Sequence, residues 1–258
     1  MQVWCVALGV LALTGCGRVA FSPGTDSSAD TNAEALTYRD VVMADTPSGY
    51  WRLGDSGTTA RDETGQYPGT FEGGCTHQVA SALVQDADGA TLFDGTSCLL
   101  RLGDVLGYPG NAPFSVEAWV NLVATDGYQI FFMKETRIGN NPMDGYALLN
   151  GPMGVYLERY VNAIGEVTEI VPIATGRFVH LLATFSGSEL VMYIDGVAGS
   201  AKPTAPSMPT FSADTTIGAL FDGFSHTLGA LDEIAIYDHV VSAQRVALHH
   251  DVGINGPR

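Results

Sequence analysis

The chain has 258 residues, with 28 acidic against 12 basic side chains and a formal net charge of −16. An acidic surface of that size repels phosphate backbones, which excludes nucleic acid as a partner class. It fits cation binding or plain solubility; only two of the twelve basic residues, Lys134 and Lys202, are lysines.

Residues 1–15 carry no charged side chain, and Val6 to Leu13 is an apolar run. The run is too short to cross a bilayer as a helix, which takes about 20 residues, and it fits the hydrophobic region of a secretory signal. It leads into "LTGC", Leu13 to Cys16, which resembles the lipobox of bacterial lipoproteins. That resemblance implies a signal peptide over 1–15 and lipid on the thiol of Cys16. The product would be anchored to a membrane of the cell envelope, and Gly17 after the cysteine is compatible with an outer one. The start "MQVW" departs from the pattern, since it has no Lys or Arg; an ordinary cleaved signal and a secreted chain are the alternative. Residues 16–36 are rich in Ser, Thr, Asp, Gly and Ala. They cannot bury enough apolar surface to offset their ordering entropy, and read as a flexible tether. Residues 37–255 suit one domain.

Short strands fill that domain. "ATLFDG" from Ala90 and "CLLRLG" from Cys98 are two of them. Cys75 and Cys98 form an even pair in an exported chain, which favours a disulfide over two separate buried thiols. "FSVEAWVNL" alternates, with Phe114, Val116, Ala118 and Val120 on one face and Ser115, Glu117, Trp119 and Asn121 on the other; that period marks a half-buried strand. "DGYQIFFMKE" from Asp126 reads as a core strand. In "VYLERYVN", Tyr156, Glu158, Tyr160 and Asn162 project together, opposite Val155, Leu157 and Val161. Such a row is either a sugar platform, aromatic faces stacking and polar tips holding hydroxyls, or an exposed strand of high β-propensity.

"VHLLATF" and "LVMYIDG", joined by a Gly/Ser turn, make a hairpin, and Asp195-Gly196 supplies a further tight turn. "TTIGAL" is a strand, and the loop "LFDGFSHT" offers Asp222, Phe224 and His226 as binding residues or as ordinary loop filler. In "LDEIAIYD", strict alternation puts Asp232 with Ile234 and Ile236, and Glu233 with Ala235 and Tyr237. Ser242 is a good N-cap for one late helix, "SAQRVALHH". Many short strands with almost no helix argue an all-β sandwich or jelly roll.

Six motifs in this order, "SGYWRLGDSGTTARDETG", "TLFDG", "APFSVEAWV", "FVHLLATFSG", "LVMYIDG" and "GALDEIAIYDHVVSAQRVALHH", resemble laminin G-like domains of the concanavalin A-like superfamily over about residues 38–252. Phe178 and Ser186 stand where the family usually has Trp and Asp. The resemblance implies an antiparallel jelly roll of two sheets with a short C-terminal helix. It also implies a structural Ca²⁺ held by Asp55, the carbonyls around Asp94 and Gly95, and Asp232; hard oxygen donors suit that ion. The alternative for Asp232 is a carboxylate that accepts backbone N–H bonds at a turn.

Glycosidases of this fold carry E-x-D-x-x-E on one strand, which sets the acids on one face of a cleft. No Glu here is followed two residues later by Asp, and G-x-S-x-G, H-E-x-x-H and the phosphate-binding loop are missing. The expectation is therefore a non-catalytic recognition module at the cell envelope that binds glycan or protein. A glycan hydrolase or lyase and a structural envelope protein are the alternatives.

Overall fold

A computed structural model describes residues 35–136, 143–204, 207–220 and 223–258, all within the compact unit Ala35–Arg258. Cys16 and Asp222 lie outside the described residues. In chain order the elements are α1 (Tyr38–Ala44), β1 (Gly49–Trp51), β2 (Thr59–Ala60), β3 (Gly69–Glu72), β4 (Thr76–Val79), β5 (Ala90–Asp94), β6 (Leu99–Gly103), β7 (Phe114–Leu122), β8 (Gln129–Glu135), β9 (Gly145–Gly151) and β10 (Gly154–Val161). They continue as β11 (Ile164–Val167), β12 (Val179–Phe185), β13 (Glu189–Ile194), β14 (Val197–Ala198), β15 (Lys202–Pro203), β16 (Thr215–Ile217), β17 (Leu228–Tyr237) and α2 (Ala243–Asn255).

The strands form two antiparallel sheets. The first runs β14-β13-β12-β7-β17-β5-β4, with β1 added on β17 and β15 on β13; the second runs β11-β10-β9-β8-β16-β6-β3-β2. Their inner faces share one apolar core, in which Trp51, Phe93, Val116, Val120, Phe131, Leu148, Leu157, Leu181 and Ile236 are buried. Period-2 alternation supplies that core, because each strand sends every second side chain inward. The hairpin β12–β13 forms as expected, and its following turn holds Asp195 and Gly196 at φ 48° and 78°, the positive-φ geometry that Asp-Gly favours.

The outer face of the first sheet is closed by the two helices. Tyr38, Val41 and Val42 of α1 and Val246 and Val252 of α2 pack with Tyr50, Trp119, Leu182, Ala235 and Tyr237 in a separate apolar cluster. Helix α2 starts at the expected Ser242 cap, whose hydroxyl accepts from the Arg245 amide, and runs on to Asn255. Helix α1 was not expected. Its signal is present: Thr37 and Asp40 cap each other's backbone amides reciprocally. The helices also correct the reading of β7. Its Ser115, Glu117 and Trp119 face is buried under α1 and α2, so the strand is closed on both sides.

β17 departs from strict alternation. Its register on β7 shifts between Asp232 and Ala235, and Glu233 takes φ 51°. This bulge inserts one extra residue. Leu231, Ile234 and Ile236 join the central core, whereas Asp232 and Ala235 stand opposite Trp119 and Glu117. Asp232 therefore does not share a face with the isoleucines, and both acids of the pair point toward the helix side.

Candidate functional site

The outer face of the second sheet has no helix over it among the described residues. β10 places Tyr156, Glu158 and Tyr160 there, as the alternation predicts. Register extends each into a rung: Tyr156 beside Leu149 and Ile130, Glu158 beside Ala147 and Met133, Tyr160 beside Gly145 and Glu135. The Glu158 rung continues through Thr216 and Arg101 to Thr70. Arg101 is held between Glu72 and Asp214 at 2.9 and 2.7 Å.

Each tyrosine ring lies against a glycine of the neighbouring strand. A Cβ on Gly151 would stand 2.8 Å from the Tyr156 ring, and one on Gly165 would stand 2.8 Å from the Tyr160 ring. Glycine at these two positions leaves room for the tyrosine ring against the neighbouring strand. The row is not an exposed strand, however. Tyr156 and Glu158 are only 8% and 4% exposed, and Tyr160 is half-buried. Tyr156 packs with Ile130, Met133, Leu149 and Leu220 in a small apolar cluster.

Leu220 begins the loop that carries the second set of candidates. Its amide donates to the Phe224 carbonyl at 2.9 Å, and the Ile130 amide donates to the Ser225 carbonyl at 3.2 Å. The loop thus ends against the Tyr156 rung, so the two features singled out in the sequence meet. Phe224 is 68% exposed and Tyr128, just before β8, is exposed as well. His226 instead faces the Cys98 carbonyl, 3.1 Å from Nδ1. That carbonyl belongs to the Cys75–Cys98 disulfide, which forms. Sequence reasoning missed Glu135, Thr216 and Arg101. The same alternation rule applied to β8 and β6 would have found Glu135 and Arg101; Thr216 needed the sheet order.

The metal donors implied by the resemblance are not brought together. Asp94 Oδ1 accepts the amides of Thr96, Ser97 and Cys98 at 2.8, 2.7 and 2.9 Å, and Oδ2 accepts the Ser97 hydroxyl at 2.7 Å. Burial is slight and opposes ionisation, but these donors hold the carboxyl well below the usual range. The neighbouring Gly95 uses its amide on the Thr227 carbonyl. Asp94 stands opposite Leu228 on β17, four positions before Asp232. At about 3.3 Å per residue the two are about 13 Å apart along the strand, whereas Ca²⁺ takes its oxygens at about 2.3–2.6 Å. Asp55 accepts the Arg61 amide at 2.9 Å. Asp232 Oδ2 accepts the Ser81 hydroxyl and the Ala82 amide at 3.0 and 2.8 Å, while its Oδ1 is buried without a partner among the described residues. Burial pushes the Asp232 carboxyl up to about 7. Among the described residues no group of three or more His, Cys, Asp or Glu side chains is placed to hold a metal. The set Asp55, Asp94, Gly95 and Asp232 does not fit one ion.

Glu117 sits wholly inside the helix side. Its Oε1 accepts the Tyr38 hydroxyl at 2.9 Å and lies 2.7 Å from His180 Nε2 and 2.9 Å from His249 Nδ1; Oε2 accepts the Tyr237 hydroxyl at 2.6 Å. His249 Nε2 reaches Asp45 at 2.7 Å, and Asp45 also takes Arg245. Burial opposes the charge on His249, but Glu117 and Asp45 outweigh it and raise the ring to about 9. Burial likewise opposes the Glu117 carboxylate, yet the two histidines hold it well below the usual range. With no exposed atom to offer a substrate, this group holds the helices to the sheet.

Comparisons with known proteins agree with this architecture. No curated protein matches the chain. Among solved structures it is similar to domain 4 of a GH43 extracellular arabinanase from Geobacillus stearothermophilus, in complex with arabinotriose, at 21% identity and a TM-score of 0.61, covering 79% of this chain and 98% of that one. It is also similar to the botulinum neurotoxin serotype G binding domain, at 10% identity and a TM-score of 0.59, covering 80% of this chain and 51% of that one. The botulinum neurotoxin DC binding domain in complex with SialylT gives 10% identity and a TM-score of 0.57, covering 79% and 50%. The chain therefore spans about half the length of the neurotoxin domains, and at these identities the likeness is one of fold. A laminin G family profile, described as the concanavalin A-like lectin/glucanases superfamily, matches residues 94–247, more than half of the sequence. The chain belongs to the concanavalin A-like lectin/glucanase superfamily as a laminin G domain.

Proposed function

We propose that the chain is a non-catalytic carbohydrate-recognition module held at the cell envelope by lipid on Cys16, with residues 16–36 as its tether and residues 37–255 as the binding domain. The observation that carries the reading is the aromatic content of the helix-free sheet face: half-buried Tyr160 lies against Gly165, and the loop bearing exposed Phe224 begins at Leu220 beside Tyr156. Aromatic rings match the C–H faces of sugar rings, and Arg101, only partly buried, places a charged donor on the same sheet face. The arabinanase domain of similar fold was solved with arabinotriose, which supports an oligosaccharide as the ligand class. The disulfide suits a compartment outside the cytoplasm. Glu117 and Glu233, the acids nearest to a catalytic pattern, are closed off from solvent, which supports binding without turnover.

The test is a glycan array probed with the unit Ala35–Arg258, followed by calorimetry on any hit. Binding that weakens about tenfold in Tyr160→Ala, equivalent to about 1.4 kcal/mol, is the expected result. Loss of affinity on Glu117→Gln with none on Tyr160→Ala would remove the sheet face as the site. Release of sugar from a polysaccharide during the same assay would replace the binding module with an enzyme.

A further inference from the structure

The bulge in β17 gathers a second set of charges on the helix side. Arg52, the residue after β1, donates from Nε and Nη2 to Glu233 Oε1 at 2.9 and 2.8 Å. Nη2 also donates to Asp86 Oδ2 at 2.7 Å, and Nε lies 3.3 Å from Asp88 Oδ2. Glu233 Oε2 accepts the Tyr50 hydroxyl, and Asp232 is its chain neighbour. One guanidinium therefore faces three carboxylates drawn from two segments, Asp86 and Asp88 before β5 and Glu233 within β17. Their side chains are mostly or wholly buried. Beyond the guanidinium opens a polar cavity of about 610 Å³, lined also by Arg39, Asp55, Arg61 and Glu63.

Such a cluster must hold positive charge. Carboxylates buried together repel one another and lose hydration, and removing the one charged partner of a buried group is among the most destabilising changes a fold can suffer. A divalent ion is one solution, and it is the one the family resemblance implies for this side of the fold through Asp232. The structure shows another. A guanidinium is charged at all relevant pH, is weakly hydrated, and presents several donors in a rigid planar fork. Arg52 uses that fork on three acids at once. Burial works against its charge, but the adjoining Glu233 outweighs burial and keeps it protonated; burial and the neighbouring Asp232 raise the Glu233 carboxyl, and the Arg52 fork and the Tyr50 hydroxyl oppose that rise.

We propose that Arg52 is the built-in cation of this acidic cluster, so that the domain folds without calcium. The bulge is part of the device: Glu233 reaches Arg52 because the extra residue turns it away from the core.

The experiment is thermal unfolding of the metal-stripped full chain in EDTA and in millimolar CaCl₂. The wild type is expected to melt at one temperature in both. Arg52→Gln is expected to melt lower than the wild type in both buffers, because the buried carboxylates lose their charged partner. A wild type that calcium stabilises overturns the proposal, and so does an Arg52→Gln protein that melts at the wild-type temperature in EDTA. Should Arg52→Gln fail to fold in either buffer, Arg52→Lys decides. A folded, calcium-insensitive lysine variant supports a charge requirement; a lysine variant that also fails to fold overturns it.

Discussion

The two outward sheet faces of this domain have opposite fates. On the first sheet the outer face carries Glu117, His180, Tyr237, Asp232 and Glu233, and it is roofed by α1 and α2. On the second the outer face carries Tyr156, Glu158 and Tyr160, with no helix above it among the described residues. A jelly roll has polar groups on both outer faces by construction, since alternation leaves them there. What differs is whether chain from outside the sheets lands on them. The comparison teaches that charge by itself does not mark a site: the richer set of acids and histidines is the structural one.

The contrast can be broken most forcefully at Glu117. Glu117→Ala leaves His249, His180 and two tyrosine hydroxyls without their shared acceptor, and stranding a buried charged partner costs about 3–5 kcal/mol. Urea unfolding should show that loss, whereas binding at the opposite face survives in the folded fraction. A loss under about 1 kcal/mol would mean that the network is not what holds the helices down.

Next in size is the bridge between Cys75 and Cys98, which closes a loop of 23 residues. Replacing both with serine should cost about 3 kcal/mol by the chain-entropy estimate, seen as a lower denaturation midpoint. Because His226 rests on the Cys98 carbonyl, the same variant should loosen the Phe224 loop and weaken ligand binding modestly.

The pH dependence sharpens the comparison further, because the roofed face carries several buried groups whose titration shifts. His249, raised from 6.5 to about 9, contributes stability that is fully present below 6.5 and is lost as pH rises through about 9. Asp232, raised by burial from 3.8 to about 7, contributes in the same sense: its stability is present below 3.8 and is lost as pH rises through about 7. Glu117 acts oppositely, stabilising above its ordinary 4.5 and losing that contribution as pH falls through its lowered value. Melting temperature should therefore peak in the mildly acidic range and fall toward pH 9. Asp232→Asn should flatten the segment between 3.8 and 7; an unchanged slope there would show that the carboxyl titrates normally.

The smallest stability effect is expected on the open face. Tyr160→Ala should move the melting midpoint little, as half-exposed substitutions do, yet cost about tenfold in glycan affinity. A large fall in stability without loss of binding would reverse the roles given to the two faces.

Much of this architecture was legible in the residues. Alternation in "FSVEAWVNL" and "VYLERYVN", Asp195-Gly196 and the Ser242 cap each encode a local geometry, and the structure contains all of them. Local rules failed where a distant segment decided the outcome. The outer face of β7 reads as half-solvated, and only α1 and α2, far away in sequence, close it. Thr37 and Asp40 announced α1, but a helix of seven residues carries too short a period to stand out. The bulge at Glu233 had no glycine to mark it, so alternation assigned Asp232 to the wrong face. Asp94 in "FDGTSC" is a turn-forming acid that its own three following amides satisfy, a bland role that spacing alone did not separate from a metal donor. The Tyr row was read correctly in direction and incorrectly in exposure, since Leu220 arrives over Tyr156 from more than sixty positions further along.

Leu36 and Arg258 donate their amides to each other's carbonyls at 2.7 and 3.3 Å. The entry and exit points of the domain are thus one hydrogen-bonded rung apart. A short peptide joining them would let the fold be reopened at a surface turn such as Ser186–Ser188, or spliced as a cassette into a loop of another protein, with both sheets undisturbed.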